Sequence, residues 1–454
     1  MFLPTCRTAA VASIAVLATL GSRAQTIASP PTPAASSVPV ISLQDAIARA
    51  ETNDPTYTSA SADRGVAHYD HGIARSSLLP VITYHNQYLY TQPNGLTNQA
   101  GQGAAAQAAP KFIANNAIRE YASLALVTET LNVAAFANLK RADAAQAKVG
   151  ADFEASRRSL VVSVATAYYT LVAEEDSVRI AQLAEDEAQS FVNLTGKLEQ
   201  GREVAHADVV KANLVLQQRQ RDLSDAQLAE EKARLDLGIM ILPDPRTPYH
   251  LTDSNPAASA LPTREESEAA ASRNNPELKS ALAALRMSQQ DVSAARAAWF
   301  PELSLNYTYG IDAPQFAVNG PDGVRNLGYY AFVTLDIPVW DWMATHDRVK
   351  QSELRRNVAQ TQLTFAQKKL LANLDEFYSE AKVAGDQLAS LDLSAKTAED
   401  SLRLTKLRYG AGEATALEVV DAENAATQAE TARADGAVRY RVALANLQTL
   451  TGVL

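Results

Sequence analysis

Few side chains in this sequence are spaced for chemistry, and none for catalysis. His68 and His71 lie three apart in a stretch that reads as helix, a spacing at which two imidazoles can share a metal ion. His85, His206, His250 and His346 are scattered, no cysteine follows Cys6, and no carboxylate–histidine cluster is evident. Surface histidines are the plain reading, and no metal or cofactor is expected. Gly410-Ala411-Gly412 reads as a turn rather than a phosphate cradle, because no strand precedes it. No paired nucleophile and base and no dinucleotide fingerprint is present, so an enzyme is not expected. Glu418 and Asp421, at i and i+3, share one helix face. By themselves they read as solvated acids on a charged helix.

The N-terminus has the form of a secretory signal: Arg7, an apolar run from Thr8 to Leu20, and the small-x-small site Ser22-Arg23-Ala24. Residues 1–24 are expected to be removed and 25–41 to form a linker. The apolar run is shorter than the ~20 residues that span a bilayer. The mature chain would keep no thiol. Its net charge of −10 would become −12 on loss of Arg7 and Arg23, which argues against a nucleic-acid partner. No later segment is apolar enough for a membrane helix, so entry into a membrane would require a closed β-barrel.

The strongest signal is self-similarity. Ala74-Arg75-Ser76-Ser77-Leu78-Leu79-Pro80 returns as Ala295-Arg296-Ala297-Ala298-Trp299-Phe300-Pro301 at an offset of 221. Asp54-Pro55 returns as Asn275-Pro276 at the same offset, and Asp208-Val209-Val210-Lys211-Ala212 as Glu418-Val419-Val420-Asp421-Ala422 at 210. Residues 42–242 and 263–454 therefore read as two repeats joined by a Pro-rich linker, 243–262.

Each repeat must hold the same elements. Capping-box-like starts at Ser42 and Thr263 open helices that run to Ser77 and Ala298, each stopped by a proline. Val81–Tyr90 and Leu303–Tyr309 read as strands, followed by loops at 92–116 and 312–326. Tyr121–Thr128 and Tyr329–Ile337 read as second strands. Helices of ~60 residues follow, over 132–195 and 342–408, rods of roughly 90–100 Å. Turns at Gly201 and at Gly410–Gly412 lead into returning helices over 207–241 and 417–450. The returning and entering helices are expected to stack end to end and match the rod, with the Pro-rich segment at mid-height. Four strands cannot close a membrane barrel, since the smallest bacterial ones have eight. The chain must oligomerise if its strands enter lipid.

In this arrangement the sequence resembles the TolC / outer-membrane efflux protein family over essentially all of the mature chain. The features that carry the resemblance are the twofold repeat, the A-R-x-x-x-x-P junction in both halves, and the segment Arg408-Tyr409-Gly410-Ala411-Gly412 … Glu418-Val419-Val420-Asp421-Ala422. The ending Leu447-Gln448-Thr449-Leu450-Thr451-Gly452 agrees as well. The resemblance implies a mixed α and β fold and a homotrimer. Each chain would give four strands to a 12-stranded outer-membrane β-barrel above a long periplasmic α-helical barrel. It also implies passive export, docking on a periplasmic adaptor and an inner-membrane pump. Tyr409, Gly412, Glu418 and Asp421 would fill the family's tip positions, with the two acids ringing the pore as a cation-favouring selectivity element. Ala414 stands where some members have an arginine that ties neighbouring tips. The first half has no tyrosine at its tip, and Asp208 is seven residues from Gly201 instead of six. Lys197 or Arg202 would then supply a cross-tip ion pair. The competing readings are a soluble coiled-coil protein and a periplasmic adaptor. The first leaves the four membrane-length strands unexplained, and the second leaves the tyrosine-rich hairpins so.

Overall fold

The computed structural model describes residues 39–90, 119–252, 261–320 and 323–452. The expected signal, most of the 25–41 linker, the 92–116 loop and part of the Pro-rich linker lie outside the described residues.

Two pairs of entering helices start on side-chain caps. In the first half these are α1 (Leu43–Asn53) and α2 (Pro55–Ser76). In the second they are α5 (Arg264–Asn274) and α6 (Pro276–Ala297). Each half was expected to enter on a helix whose N-terminal turn ends at Asp54-Pro55 or Asn275-Pro276. Asp54 and Asn275 break it, because a residue before proline is pushed out of the α region. Their ψ angles are 123° and 121°. Each also caps the next helix, accepting from Tyr57 N at 2.7 Å and from Leu278 N at 2.8 Å. The capping boxes at Ser42–Asp45 and Thr263–Glu266 are both formed.

The four long strands are β2 (Val81–Tyr90), β3 (Arg119–Leu131), β5 (Glu302–Ala313) and β6 (Leu327–Asp336). They form one antiparallel sheet in the order β2-β3-β5-β6, so β2 and β6 are its edges. β3 and β5 run several residues beyond their expected ends, because register pairing with each other carries them on, from Tyr121↔Ala313 to Leu131↔Leu303. One face carries Tyr84, Tyr88, Tyr121, Tyr307, Tyr309 and Tyr329, as the register requires. Tyr88 packs on Tyr121 at 4.8 Å and Tyr307 on Tyr329 at 6.0 Å between ring centroids. The opposite face carries Thr83, His85, Gln87, Thr128, Asn306 and Thr308, with Thr128 Oγ1 donating to Asn306 Oδ1 at 3.1 Å. The sheet is thus apolar-aromatic on one side and largely polar on the other.

The rods are α3 (Val133–Gln200, 68 residues) and α7 (Ala344–Gly410, 67 residues), each about 100 Å long. The returning helices are α4 (His206–Ile241) and α8 (Ala416–Thr451). α3 packs on α2 and α6 along its upper part and on α4 below; α7 packs on α6 above and α8 below. Ion pairs mark this division: Arg141–Asp291 at 2.6 Å joins α3 to α6, Arg234–Glu175 at 3.2 Å joins α4 to α3, and Arg439–Glu380 at 2.5 Å joins α8 to α7.

The stacking expected of the short helices is present and has a named joint in each half. Asn53 Nδ2 donates to Ile241 O at 3.0 Å, and Asn274 Nδ2 donates to Thr451 O at 3.1 Å. The donors are offset by 221 and the acceptors by 210, the same offsets as the sequence landmarks. Around the first joint Ile41, Leu171, Leu237, Ile241 and Tyr249 are fully buried. Burial pushes the Tyr249 phenol up to about 12, and its hydroxyl donates to Arg234 O at 2.7 Å. A two-residue parallel pair, β1 (Val40–Ile41) with β4 (His250–Leu251), ties the N-terminal segment to the Pro-rich linker. No periodicity in so short a pair could announce it.

Gly310 packs where β5 crosses β3: an added Cβ would sit 2.1 Å from Ser123 O. Gly310→Ala is therefore expected to destabilise the sheet by about 3 kcal/mol or more, read as lost β-sheet ellipticity and a lower unfolding temperature.

Candidate functional site at the helical tips

The two helix turns, 201–205 and 411–415, share one backbone design. Arg202 N donates to Glu199 O at 2.8 Å and Glu203 N to Leu198 O at 2.9 Å; Gly412 N donates to Tyr409 O at 3.0 Å and Glu413 N to Arg408 O at 2.8 Å. These bonds superpose at an offset of 210. The position with positive φ is Gly412 (78°) in one turn and Arg202 (63°) in the other. This corrects the sequence alignment of the tips: Arg202, not Gly201, is the counterpart of Gly412, and Gly201 is an ordinary αR C-cap. Asp208 then stands six residues on, as Glu418 does. Pairing glycine with glycine misplaced the turn by one, because Arg202 bears the left-handed strain that glycine would avoid.

The same offset pairs Thr415 with Ala205 and Asp421 with Lys211. Thr415 and Glu418 form a capping box: Glu418 N donates to Thr415 Oγ1 at 3.3 Å, and Thr415 N donates to Glu418 Oε1 at 3.2 Å. The hydrogen bonds from Thr415 hold the Glu418 carboxyl below the usual glutamate range, with Arg408 assisting. Arg408 Nη1 lies 3.6 Å from Glu418 Oε2. Glu418 thus serves its own helix start and stays ionised. Asp421, one turn on, is exposed. Ala205 offers no side-chain cap, and Asp208 and Lys211 are half-buried.

Tyr409 is not at the surface. Its ring is 3% exposed and lies 5.3 Å from Phe191, within a cluster that includes Ala212, Ala416, Val419 and Val420. Burial of two such rings contributes roughly 2 kcal/mol each. The tyrosine therefore anchors the α7–α8 turn against α3. No ion pair involving Lys197 or Arg202 occurs among the described residues; the cation at Glu418 is Arg408. Arg408 stands inside the sequence motif, immediately before Tyr409. The Arg408–Glu418 pair is local, between α7 and α8 of one chain.

His71 Nε2 lies 2.7 Å from Asp143 Oδ1, and His68 Nδ1 is 3.4 Å from Gln146 Nε2. Among the described residues no three His, Cys, Asp or Glu side chains converge on a point that could hold a metal ion. What the tips offer is fixed charge on paired helix ends.

An open four-stranded sheet on two stacked helical hairpins is a fold shared with solved structures. The Campylobacter jejuni CmeC outer membrane channel superposes with a TM-score of 0.76 at 17% identity, covering 90% of this chain and 85% of that one. The model of the outer membrane efflux protein family matches residues 269–453 of this chain. Outer membrane protein OprJ of Pseudomonas aeruginosa is 27% identical over 176 residues, 38% of this chain and 36% of that protein. The chain thus spans little more than a third of OprJ. Outer membrane protein TolC of Escherichia coli is 21% identical over 430 residues, 91% of this chain and 82% of that one.

Thr415→Ala is expected to cost about 1 kcal/mol, and Ala205→Ser to gain up to about 1 kcal/mol, at their respective helix starts. Hydrogen exchange of the first turns of α8 and α4 measures each separately. Because the carboxyl of Glu418 is held down by its cap, the box persists above the usual glutamate range and is lost as pH falls below it.

Proposed function

We propose that this chain is the exit duct of a tripartite efflux pump or type I secretion system, a passive outer-membrane channel without catalysis. The observation that carries the reading is the sheet. Its strands are 10 to 13 residues long, which suits a tilted membrane strand. One face is lined with exposed tyrosines, and among the described residues no further strand pairs with the edges β2 and β6. Open edges in hydrocarbon cost several kcal/mol per backbone group, and closure by three copies gives twelve strands. The helical rods, about 100 Å each, then cross the periplasm. The names of the relatives, outer membrane, export and secretion proteins, favour the same location.

In this reading the homotrimer is rooted in outer-membrane lipid and meets a periplasmic adaptor and an inner-membrane pump at its helical end. That pump supplies both energy and choice of cargo. Residues 42–242 and 263–454 act as two repeats about the 243–262 linker. Tyr409, Gly412, Asp208 and the Gly201 turn shape the tips, and Glu418 with Asp421 supplies six carboxylates to the narrow end.

The test is purification from membranes followed by mass measurement and single-channel recording in planar bilayers. A mass three times that of the chain and stable conductance are expected; a soluble monomer without conductance overturns the proposal. Asp421→Asn combined with Glu418→Gln, which keeps a capping-box side chain, is expected to lower cation-over-anion permeability at least about twofold. Unchanged reversal potentials would remove the ring from the reading.

A further inference from the structure

The hairpins α3–α4 and α7–α8 face each other, above the tips, across a cleft of about 330 Å³. Glu423 of α8, two residues beyond Asp421, forms part of its wall. Glu418 and Asp421 are exposed, but Glu423 is only 4% exposed, and neither of its carboxylate oxygens accepts a hydrogen bond. Lys406 Nζ of α7 lies 3.1 Å from Glu423 Oε1, at ion-pair distance but outside hydrogen-bond geometry, and the same ammonium pairs with Glu187 of α3. One lysine thus serves two acids on two different helices.

The remaining charges around the cleft come from all four helices. α3 contributes Arg179 in addition to Glu187, and α4 contributes Arg219. α7 adds Glu399, and α8 adds Glu430 and Arg433. Several are already engaged: Arg179 with Asp176 at 3.0 Å, Arg433 with Glu430 at 2.8 Å, and Arg219 with Asn424 at 2.6 Å. None donates a hydrogen bond to Glu423. A carboxylate shielded from solvent and faced only by an ammonium it shares with Glu187 is costly in its charged form. It is relieved either by a proton or by separation of the hairpins that cover it.

We propose that packing of the two hairpins around Glu423 is coupled to uptake of a proton at that carboxylate, so that mild acid holds this end together and higher pH loosens it. The inference rests on the reading of the chain as a duct whose helical end meets its partners, and gives that end a control. Burial pushes the Glu423 carboxyl above the usual 4.5; Lys406 and then Arg219 pull it down, and Glu187 pushes it up. The sign follows from linkage. A carboxyl raised in the packed state stabilises packing below its ordinary value and loses that contribution as pH rises through the raised one. The window therefore opens upward from the ordinary glutamate range. One linked proton changes the ratio of packed to separated hairpins by up to about tenfold per pH unit. Lys406 moderates the switch by favouring the charged form.

The experiment compares the full-length protein with Glu423→Gln and Lys406→Met between pH 5 and 8. Single-channel open probability is one readout, and hydrogen exchange over residues 185–200 and 416–427, corrected for intrinsic rates, is the other. In the unsubstituted protein, open probability and exchange should both rise with pH. Glu423→Gln, a neutral isostere, should be closed and protected throughout, with a flat profile. Lys406→Met should move the midpoint to higher pH. Equal pH profiles for the unsubstituted protein and Glu423→Gln overturn the inference while conductance keeps the duct reading. Absence of conductance in every variant overturns the duct reading, and exchange then still decides the proton coupling. A lysine variant that opens at every pH would make Lys406 a simple latch and would also overturn the inference.

Discussion

Two asparagine side chains hold the architecture to its length. A helix ends with carbonyls that have no partner within the helix, and Asn53 and Asn274 supply donors for one such carbonyl each, at Ile241 and Thr451. The donor in each case sits at the end of the short helix preceding Asp54-Pro55 or Asn275-Pro276. The proline break, the cap that follows it and the joint to the returning helix are therefore a single local device, used twice. Because of it, two helices of moderate length can lie along a rod of 67 or 68 residues without exposing an uncapped end. The packing of α3 and α7 against different neighbours above and below follows from where that device falls.

Much of this was legible in the sequence, because the repeat is written in residues whose backbone demands are strong. Prolines at 55, 80, 276 and 301, the capping threonine and serine, and the alternation of tyrosines each allow few local structures. The two offsets of 221 and 210 reappear in the hydrogen bonds of the joints. The tips were read less well. Glycine is a good marker of a left-handed position only when the chain uses it there, and at Arg202 it does not. A hydrogen-bond pattern fixes the equivalence where residue type misleads. The β1–β4 pair is two residues long and gave no periodicity to read.

The tip acids show why spacing alone does not assign a role. Glu418, Asp421 and Glu423 lie within six residues on one helix and have three environments. The first is bound into a capping box, the second faces solvent, and the third is sealed between hairpins. Helical periodicity places Glu423 off the face shared by the other two, but it does not say what lies against that face. Only the approach of α3 and α7 turns an ordinary glutamate into a dry one. Tyr409 is the mirror case: the sequence marks it as part of the tip, and the fold uses it as an inward anchor against Phe191.

A rod flanked by two shorter helices placed end to end is a length-matching device, and it constrains how such a molecule can change height. An inserted turn in α3 alone would push the 201–205 turn out of step with 411–415, and would rotate every contact below it by the twist of the added residues. The span between sheet and tip can lengthen only if both rods and both stacked columns lengthen together, in steps that restore the helix phase. The distance from sheet to tip is thus held by two rods and two stacked columns at once.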